Sequence, residues 1–216
     1  MRKNSPQQAL ALIVSLLLML SLTGCAKREI VNTGSSGKTI VCFGDSITFG
    51  YGARPGEDYP TALARLVKAP VINAGIDGDT TTEALLRFNS DALERDPFIV
   101  IIEFGGNDFL RKIPMETTLS NIAQMIDQAQ AKGAMVAVVD ISAGLFLRDY
   151  RIAFKKLAYE KGTIFVPSIL NKIVTNPSMK SDFLHPNGEG YKLVAQRVYR
   201  SIEPYLKKDI LLSSNH

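Results

Sequence analysis

Ser46 is the side chain in this sequence whose position best suits a nucleophile. It follows an apolar run, residues 40–43, through the dipeptide Gly44-Asp45. A serine hydroxyl reacts poorly at neutral pH unless a base, usually a histidine, takes its proton and a carboxylate orients that base. Ser46 therefore predicts nucleophilic chemistry only if the rest of the chain supplies those two partners.

His185 and Asp182 are the candidate partners. The chain has 2 histidines, and the other one, His216, is its last residue, which we expect to be disordered. Asp182 precedes His185 by three positions, a spacing that one tight turn can fold so that the carboxylate meets Nδ1 and leaves Nε2 facing Ser46. Asp140, which follows an apolar run, is the alternative acid. We favour Asp182 because it lies so close to His185.

Attack on a carbonyl carbon also requires hydrogen-bond donors for the oxyanion that develops. The backbone N–H groups of Ser46 and Gly78 are candidates, since glycine lets the chain approach a ligand closely. Asn107 adds a neutral side-chain NH₂ group directly after two glycines. Together these three donors would form an oxyanion hole. Glu103, near the end of the preceding apolar run, receives no role from the sequence.

Apolar runs alternate with segments of helical period, which predicts a parallel β-sheet with helices on its faces. The predicted strands are 39–43, 70–73, 98–104, 134–141 and 163–166. The predicted helices are 59–68, 84–94, a third marked by apolar residues in 119–126 with Gly133 as its terminator, 149–161 and 187–206. In such sheets, ligands bind beyond the carboxyl ends of the strands. The segments that contain Ser46, Gly78 and Asn107 follow the first three predicted strands, as one shared site would require.

Four segments together resemble the sequence blocks of the SGNH (GDSL) hydrolase family. They are Gly44-Asp45-Ser46-Ile47-Thr48, Gly78-Asp79-Thr80, Gly105-Gly106-Asn107-Asp108 and Asp182-x-x-His185-Pro186. Within the family, residues 73–80 and 103–111 are most similar to the branch of thioesterase I, lysophospholipase L1 and arylesterases. The resemblance implies an α/β fold, a flavodoxin-like three-layer α/β/α sandwich with a five-stranded parallel sheet.

The resemblance also implies roles. Ser46 would be the nucleophile, His185 the general base and acid, and Asp182 the residue that orients it, with Ser46, Gly78 and Asn107 as the oxyanion hole. No metal or organic cofactor is implied. The expected activity is hydrolysis of a carboxylic ester or thioester through an acyl-enzyme, with a lysophospholipid or another lipid or aryl ester as substrate. Phe109 stands where a small residue is common in this branch, so the fit of the acyl chain is expected to differ.

Three alternatives compete with this interpretation. An α/β-hydrolase would use similar chemistry, but it places its serine in a Gly-x-Ser-x-Gly elbow, which Ser46 lacks. A carbohydrate O-acetyl esterase of the same family would use the same residues. A membrane-tethered lipoprotein could hold a ligand without turnover, although a binding protein has no use for a general base such as His185.

The N-terminus predicts export and lipidation. Arg2 and Lys3 precede an apolar run, residues 9–20, and a Ser-Leu-Thr-Gly stretch then leads to Cys25, which resembles a bacterial lipobox. We expect residues 1–24 to be a signal peptide, Cys25 to carry lipid and residues 25–38 to form a flexible tether. The hydrolase domain would be 39–210 and the disordered tail 211–216.

Charge and composition limit the partners. Without residues 1–24, which hold two basic residues and no acidic ones, the formal net charge falls from +4 to +2. No basic stripe interleaved with aromatic residues predicts nucleic-acid binding. We expect a monomer that meets a small ester or lipid substrate, anchored by Cys25 to a bacterial membrane and facing the periplasm or the exterior. Ala26 after the cysteine is compatible with sorting to an outer membrane.

Overall fold

Five parallel strands form the sheet in the part of the chain that the computed structural model describes, residues 29–143 and 147–207. The order across the sheet is β2-β1-β3-β4-β5. The strands are β1 (Thr39–Gly44), β2 (Val71–Gly75), β3 (Pro97–Glu103), β4 (Met135–Val139) and β5 (Ile164–Val166). The α/β fold predicted from the sequence, with its five-stranded parallel sheet, is therefore confirmed.

Seven α-helices occupy the described ranges. They are α1 (Ser46–Phe49), α2 (Tyr59–Ala64), α3 (Thr81–Asp91), α4 (Gly106–Leu110), α5 (Met115–Ala131), α6 (Arg148–Lys161) and α7 (Gly188–Ile202). Helix α5 packs against both α3 and α6, and α2 packs against α7. Every residue of β3 is buried, as expected for a central parallel strand that helices cover on both faces.

The helix ends follow local sequence signals. The side chain of Thr80 caps α3 and that of Glu83 returns the bond, which completes the capping box expected from their spacing. Two helices are shorter than predicted. Helix α2 ends at Ala64, and α7 gives way to a 3₁₀ turn, Glu203–Tyr205, where Pro204 cannot donate a backbone hydrogen bond.

Residues 29–38 lie against the domain. The sequence predicts a flexible tether here, whereas in the structure the Val31 N–H donates to the Gly162 carbonyl at 2.9 Å. The Asn32 side-chain amide also donates to the Ala134 carbonyl at 3.0 Å. These bonds satisfy backbone carbonyls just before β4 and β5, so the ordered domain begins ahead of the predicted boundary at residue 39.

Several predictions lie outside the described residues: the signal peptide 1–24, the lipidated Cys25, the tail 211–216 and with it His216. Within residues 29–143 and 147–207, no helix combines the length and the apolar character needed to cross a bilayer.

Candidate active site

Ser46 is the first residue of α1, directly beyond the carboxyl end of β1. Asp45 caps this short helix, because its Oδ1 accepts the Ile47 N–H at 3.0 Å. The helix packs closely on β2: a Cβ at Gly75 would overlap the backbone of α1 at Phe49. A glycine at that position in β2 is therefore what lets the turn with Ser46 sit against the sheet.

His185 and Asp182 meet Ser46 from the loop before α7. His185 Nε2 lies 3.0 Å from Ser46 Oγ, and His185 Nδ1 lies 2.8 Å from Asp182 Oδ2. The other carboxylate oxygen of Asp182 accepts the backbone N–H groups of Leu184 and His185, both at 2.8 Å. Partial burial raises the pKa of Asp182, but the hydrogen bonds from His185 and Leu184 outweigh it and leave the pKa below its usual value.

The three predicted oxyanion donors lie at the same edge of the sheet. Asn107, on α4, donates from Nδ2 to the Asp79 carbonyl at 3.0 Å and to Asp45 Oδ2 at 3.3 Å. Its side chain thus joins the turn after β1 to the turn after β2, which also holds Gly78. In the part of the chain that the structure describes, the backbone N–H groups of Ser46 and Gly78 have no hydrogen-bond partner. They are available to a ligand.

Asp140, the alternative acid, lies elsewhere. It is buried, and its oxygens accept the backbone N–H groups of Ser142 at 2.8 Å and Ser168 at 2.9 Å. Arg151 Nε lies 3.6 Å from the same carboxylate. These contacts brace the loops after β4 and β5, and none of them involves His185.

Two buried carboxyl groups lie beneath the turn that holds Ser46. Glu103 Oε2 accepts the Thr48 hydroxyl at 2.7 Å, while its Oε1 has no hydrogen-bond partner among the described residues. Burial, and then the charge of Asp45, raise the pKa of Glu103 well above its usual value. Burial also raises the pKa of Asp45, to about 7, against the hydrogen bond from Ile47. Ionising both buried carboxyl groups would place two negative charges side by side at a high cost in free energy, so the pair retains a proton at neutral pH.

Arg87 holds together three segments around the site, and it was not identified from the sequence. From α3 its guanidinium donates to Asp79 at 2.7 Å, to the Ala74 carbonyl at 2.9 Å and to the Gly44 carbonyl at 3.2 Å. It also lies 4.3 Å from the centre of the Phe43 ring. Arg87 therefore ties the ends of β1 and β2 to the turn of the predicted oxyanion hole. No sequence pattern links it to partners in three separate segments.

An aromatic ring flanks the histidine. The Tyr51 ring centre lies 4.6 Å from that of His185, and the Tyr51 carbonyl accepts the Tyr191 hydroxyl at 2.9 Å. This contact limits the rotation of the imidazole. Tyr51 was also missed in the sequence, where a single tyrosine after a glycine gives no signal of its role.

A cavity of about 330 Å³ opens beside Phe109. It is lined by Phe109, Met115, Leu147, Arg148, Asp149 and Tyr150. Phe109 stands on α4, two residues after Asn107, and its ring meets that of Tyr150 edge to face at 6.1 Å between centres. The volume is at the lower end of the range for small-molecule sites.

Comparison with known proteins identifies the family. The model of the GDSL-like Lipase/Acylhydrolase family matches residues 42–193, which include all four segments of the site. The chain belongs to this family. It is 28% identical over 179 residues to thioesterase 1/protease 1/lysophospholipase L1 of Escherichia coli K12, covering 79% of this chain and 86% of that protein.

A solved structure and a second curated protein are also similar to this chain. The crystal structure of the psychrotrophic esterase EstA from Pseudoalteromonas sp., inhibited by monoethylphosphonate, matches with a TM-score of 0.69 and 25% identity, covering 78% of this chain and 98% of EstA. The uncharacterized lipoprotein YqeF of Bacillus subtilis is 36% identical over 104 residues, 44% of this chain and 40% of YqeF. This GDSL family member is thus an enzyme, an SGNH-type serine hydrolase that acts on carboxylic esters.

In the ranges that the structure describes, no group of three or more His, Cys, Asp and Glu side chains is arranged to bind a metal ion.

Proposed function

We propose that this GDSL hydrolase cleaves lipid or aryl esters, lysophospholipids among them, through an acyl-enzyme on Ser46. The observation that carries the proposal is the row of three side chains in which His185 contacts Ser46 at 3.0 Å and Asp182 at 2.8 Å. With the Nδ1 proton donated to Asp182, Nε2 can accept the hydroxyl proton as Ser46 Oγ attacks the carbonyl carbon.

The oxyanion that forms would be bound by the N–H groups of Ser46 and Gly78 and by Asn107. Both hydrogens of the Asn107 amide are already directed at acceptors, and the longer bond, 3.3 Å to Asp45, is the one that an oxyanion would replace. Collapse of the intermediate breaks the carbonyl–oxygen or carbonyl–sulfur bond, and His185 protonates the leaving alcohol or thiol. Water, deprotonated by His185, then attacks the acyl-serine and releases the acid.

The cavity beside Phe109 is the place for the acyl chain. Its lining includes Phe109, which lies on the same short helix as Asn107. Four of its six lining side chains, Phe109, Met115, Leu147 and Tyr150, are apolar or aromatic, which suits a hydrocarbon chain. A thioester would fit the same geometry, because only the leaving atom changes.

A panel of p-nitrophenyl esters of increasing acyl length, assayed beside a lysophospholipid, tests this substrate class. We expect turnover of aryl esters with a preference set by chain length, together with hydrolysis of the lysophospholipid. The matched control is Ser46→Ala, which should lower kcat by about 10⁶ and leave the fold intact. A narrow preference for acetylated sugars would instead indicate a carbohydrate O-acetyl esterase, and ester binding without turnover would indicate a binding protein.

We also propose that the protein is an exported lipoprotein held to a membrane through Cys25. The lipobox-like sequence supports this, as does the similarity to the lipoprotein YqeF over part of the chain. Cys25→Ser should release the protein into the soluble fraction of cell extracts. Unchanged membrane fractionation of that variant would contradict the anchor.

A further inference from the structure

The N-terminal segment crosses the sheet at the end opposite to the active site. Parallel strands place all their starts on one edge, and Ser46, Gly78, Asn107 and His185 lie at the other. Residues 31–39 run along the starting edge in order, from β5 to β4, to β3 and then into β1. These contacts fix the place where the chain enters the domain, which is the edge of the sheet opposite to the site.

The contacts at the β5 end come first. The Val31 N–H donates to Gly162 at 2.9 Å, and Gly162 also lies against Glu29, whose carbonyl would be 3.1 Å from a Cβ at that position. Asn32 then donates to the carbonyls of Gln130 and Ala134 at 2.9 and 3.0 Å. These bonds hold the segment beside the starts of β4 and β5.

The contacts at the β3 end complete the crossing. Gly37 packs so closely on Pro97, the first residue of β3, that a Cβ would overlap the Pro97 carbonyl group. The N–H groups of Lys38 and Thr39 both donate to the Asp96 carbonyl, at 2.8 and 3.1 Å. The segment is thus bonded at both ends and does not swing as a free tether would.

The stretch of chain between Cys25 and the bound segment is short. Only three residues, Ala26 to Arg28, separate Cys25 from Glu29. Four extended steps span at most about 14 Å. The seven residues of β3 alone raise the site about 20 Å above the starting edge. If the carboxyl ends of the strands were turned toward the bilayer, the chain from Cys25 to Glu29 would have to span at least this height, which exceeds its reach, so the site cannot face the anchoring bilayer directly.

We propose that the active site faces away from the membrane to which the chain is attached and takes esters dispersed in the aqueous phase, not lipids of the anchoring bilayer. This inference rests on the proposed esterase activity and on the proposed anchor at Cys25. It narrows the substrate class, because a lysophospholipid would be taken as a dispersed molecule from solution.

The test uses the chain from Cys25 to its C-terminus, coupled through the Cys25 thiol to vesicles of maleimide-bearing phospholipid. The other cysteine, Cys42, is fully buried in β1, and burial raises the pKa of its thiol, so it will not compete. The reporter is a fluorogenic aryl ester joined to the headgroup of a double-chain phospholipid in the same vesicles. The same ester free in solution is the reference substrate.

The variant carries about 30 Gly/Ser residues between Arg28 and Glu29, a chain whose mean span of about 30 Å would let the site turn to the surface. We expect this insert to raise hydrolysis of the lipid-borne ester at least about tenfold, with hydrolysis of the free ester unchanged. The same insert after His216 is the control and should change neither. Equal rates on the lipid-borne ester with and without the insert would overturn the proposed orientation.

The experiment separates the three proposals. Failure to hydrolyse the free ester would overturn the esterase activity itself, whatever the orientation. The chemical coupling supplies an anchor of the native length, so the orientation is tested even if Cys25 carries no lipid in the cell. Lipidation is tested separately by the fractionation of Cys25→Ser.

Discussion

The two candidate acids, Asp182 and Asp140, differ in what they contact. Asp182 bonds the His185 ring and the backbone of its own turn, whereas Asp140 bonds Ser142 and Ser168 in two neighbouring loops. Both carboxylates are well satisfied, so hydrogen bonding alone does not distinguish a functional acid from a structural one. The distinction comes from the histidine, because only Asp182 can select the tautomer that leaves Nε2 able to accept a proton.

Replacing each acid by its amide should separate these roles. Asp182→Asn should lower kcat for p-nitrophenyl acetate by about 10⁴, because the imidazole loses the acceptor that fixes its tautomer. Asp140→Asn should lower kcat less than about tenfold but cost about 1–3 kcal/mol of the free energy of unfolding, since an NH₂ group would face N–H donors. Steady-state kinetics and denaturant unfolding measure the two effects. The reverse pattern would assign Asp140 as the acid.

At the scale of the elements, the pattern of the sequence predicted the strands well. Each observed strand falls on a predicted one with its ends shifted by no more than about two residues. The helices α1 and α4 were not predicted, because four or five residues are too few to show a helical period. These two short helices are the ones that carry Ser46 and Asn107, so the missing elements were those of the site.

The grouping of the site was predictable, but its buried support was not. Parallel strands bring their carboxyl ends together, which is why segments more than a hundred residues apart could be assigned to one site. The hydrogen bond of Glu103 with Thr48, and those of Arg87 with three segments, depend on how helices pack on the sheet. The one sign of this support in the sequence was Glu103 at the end of an apolar strand, because burying an ionised side chain there would cost free energy.

Helix α4 should set the acyl-chain preference, because it carries both Asn107 and Phe109. Phe109→Ala would enlarge the cavity toward Tyr150 and should shift the optimum toward longer acyl chains, with kcat/KM rising by roughly fourfold for each methylene newly buried. Hydrolysis of the acetate ester should change little. Leu86→Ala, on the exposed face of α3, is the matched control. An unchanged chain-length profile for Phe109→Ala would place the acyl chain elsewhere.

At the scale of the whole molecule, the buried pair of Asp45 and Glu103 should make the protein more stable in mild acid than in mild base. A carboxyl group whose pKa is raised by folding holds a proton that the unfolded chain has lost, so the free energy of unfolding decreases as pH rises toward the folded pKa. The lowered pKa of Asp182 acts in the opposite direction, but below about pH 4, near the pKa of an unfolded aspartate. Near neutral pH, the change in the free energy of unfolding therefore comes from the buried pair.

Denaturant unfolding near pH 5.5 and near pH 8 tests this expectation. With its pKa at about 7, Asp45 alone should lower the free energy of unfolding by about 2 kcal/mol between the two conditions, and Glu103 should add to this fall. Asp45→Asn should flatten this dependence without abolishing it, because Glu103 remains. Asp127→Asn, which removes an exposed carboxylate paired with Lys161, should leave the slope unchanged. Stability that rises from pH 5.5 to pH 8 in the unaltered protein would mean that both carboxyl groups are ionised, and that the turn with Ser46 rests on two charges instead of on a shared proton.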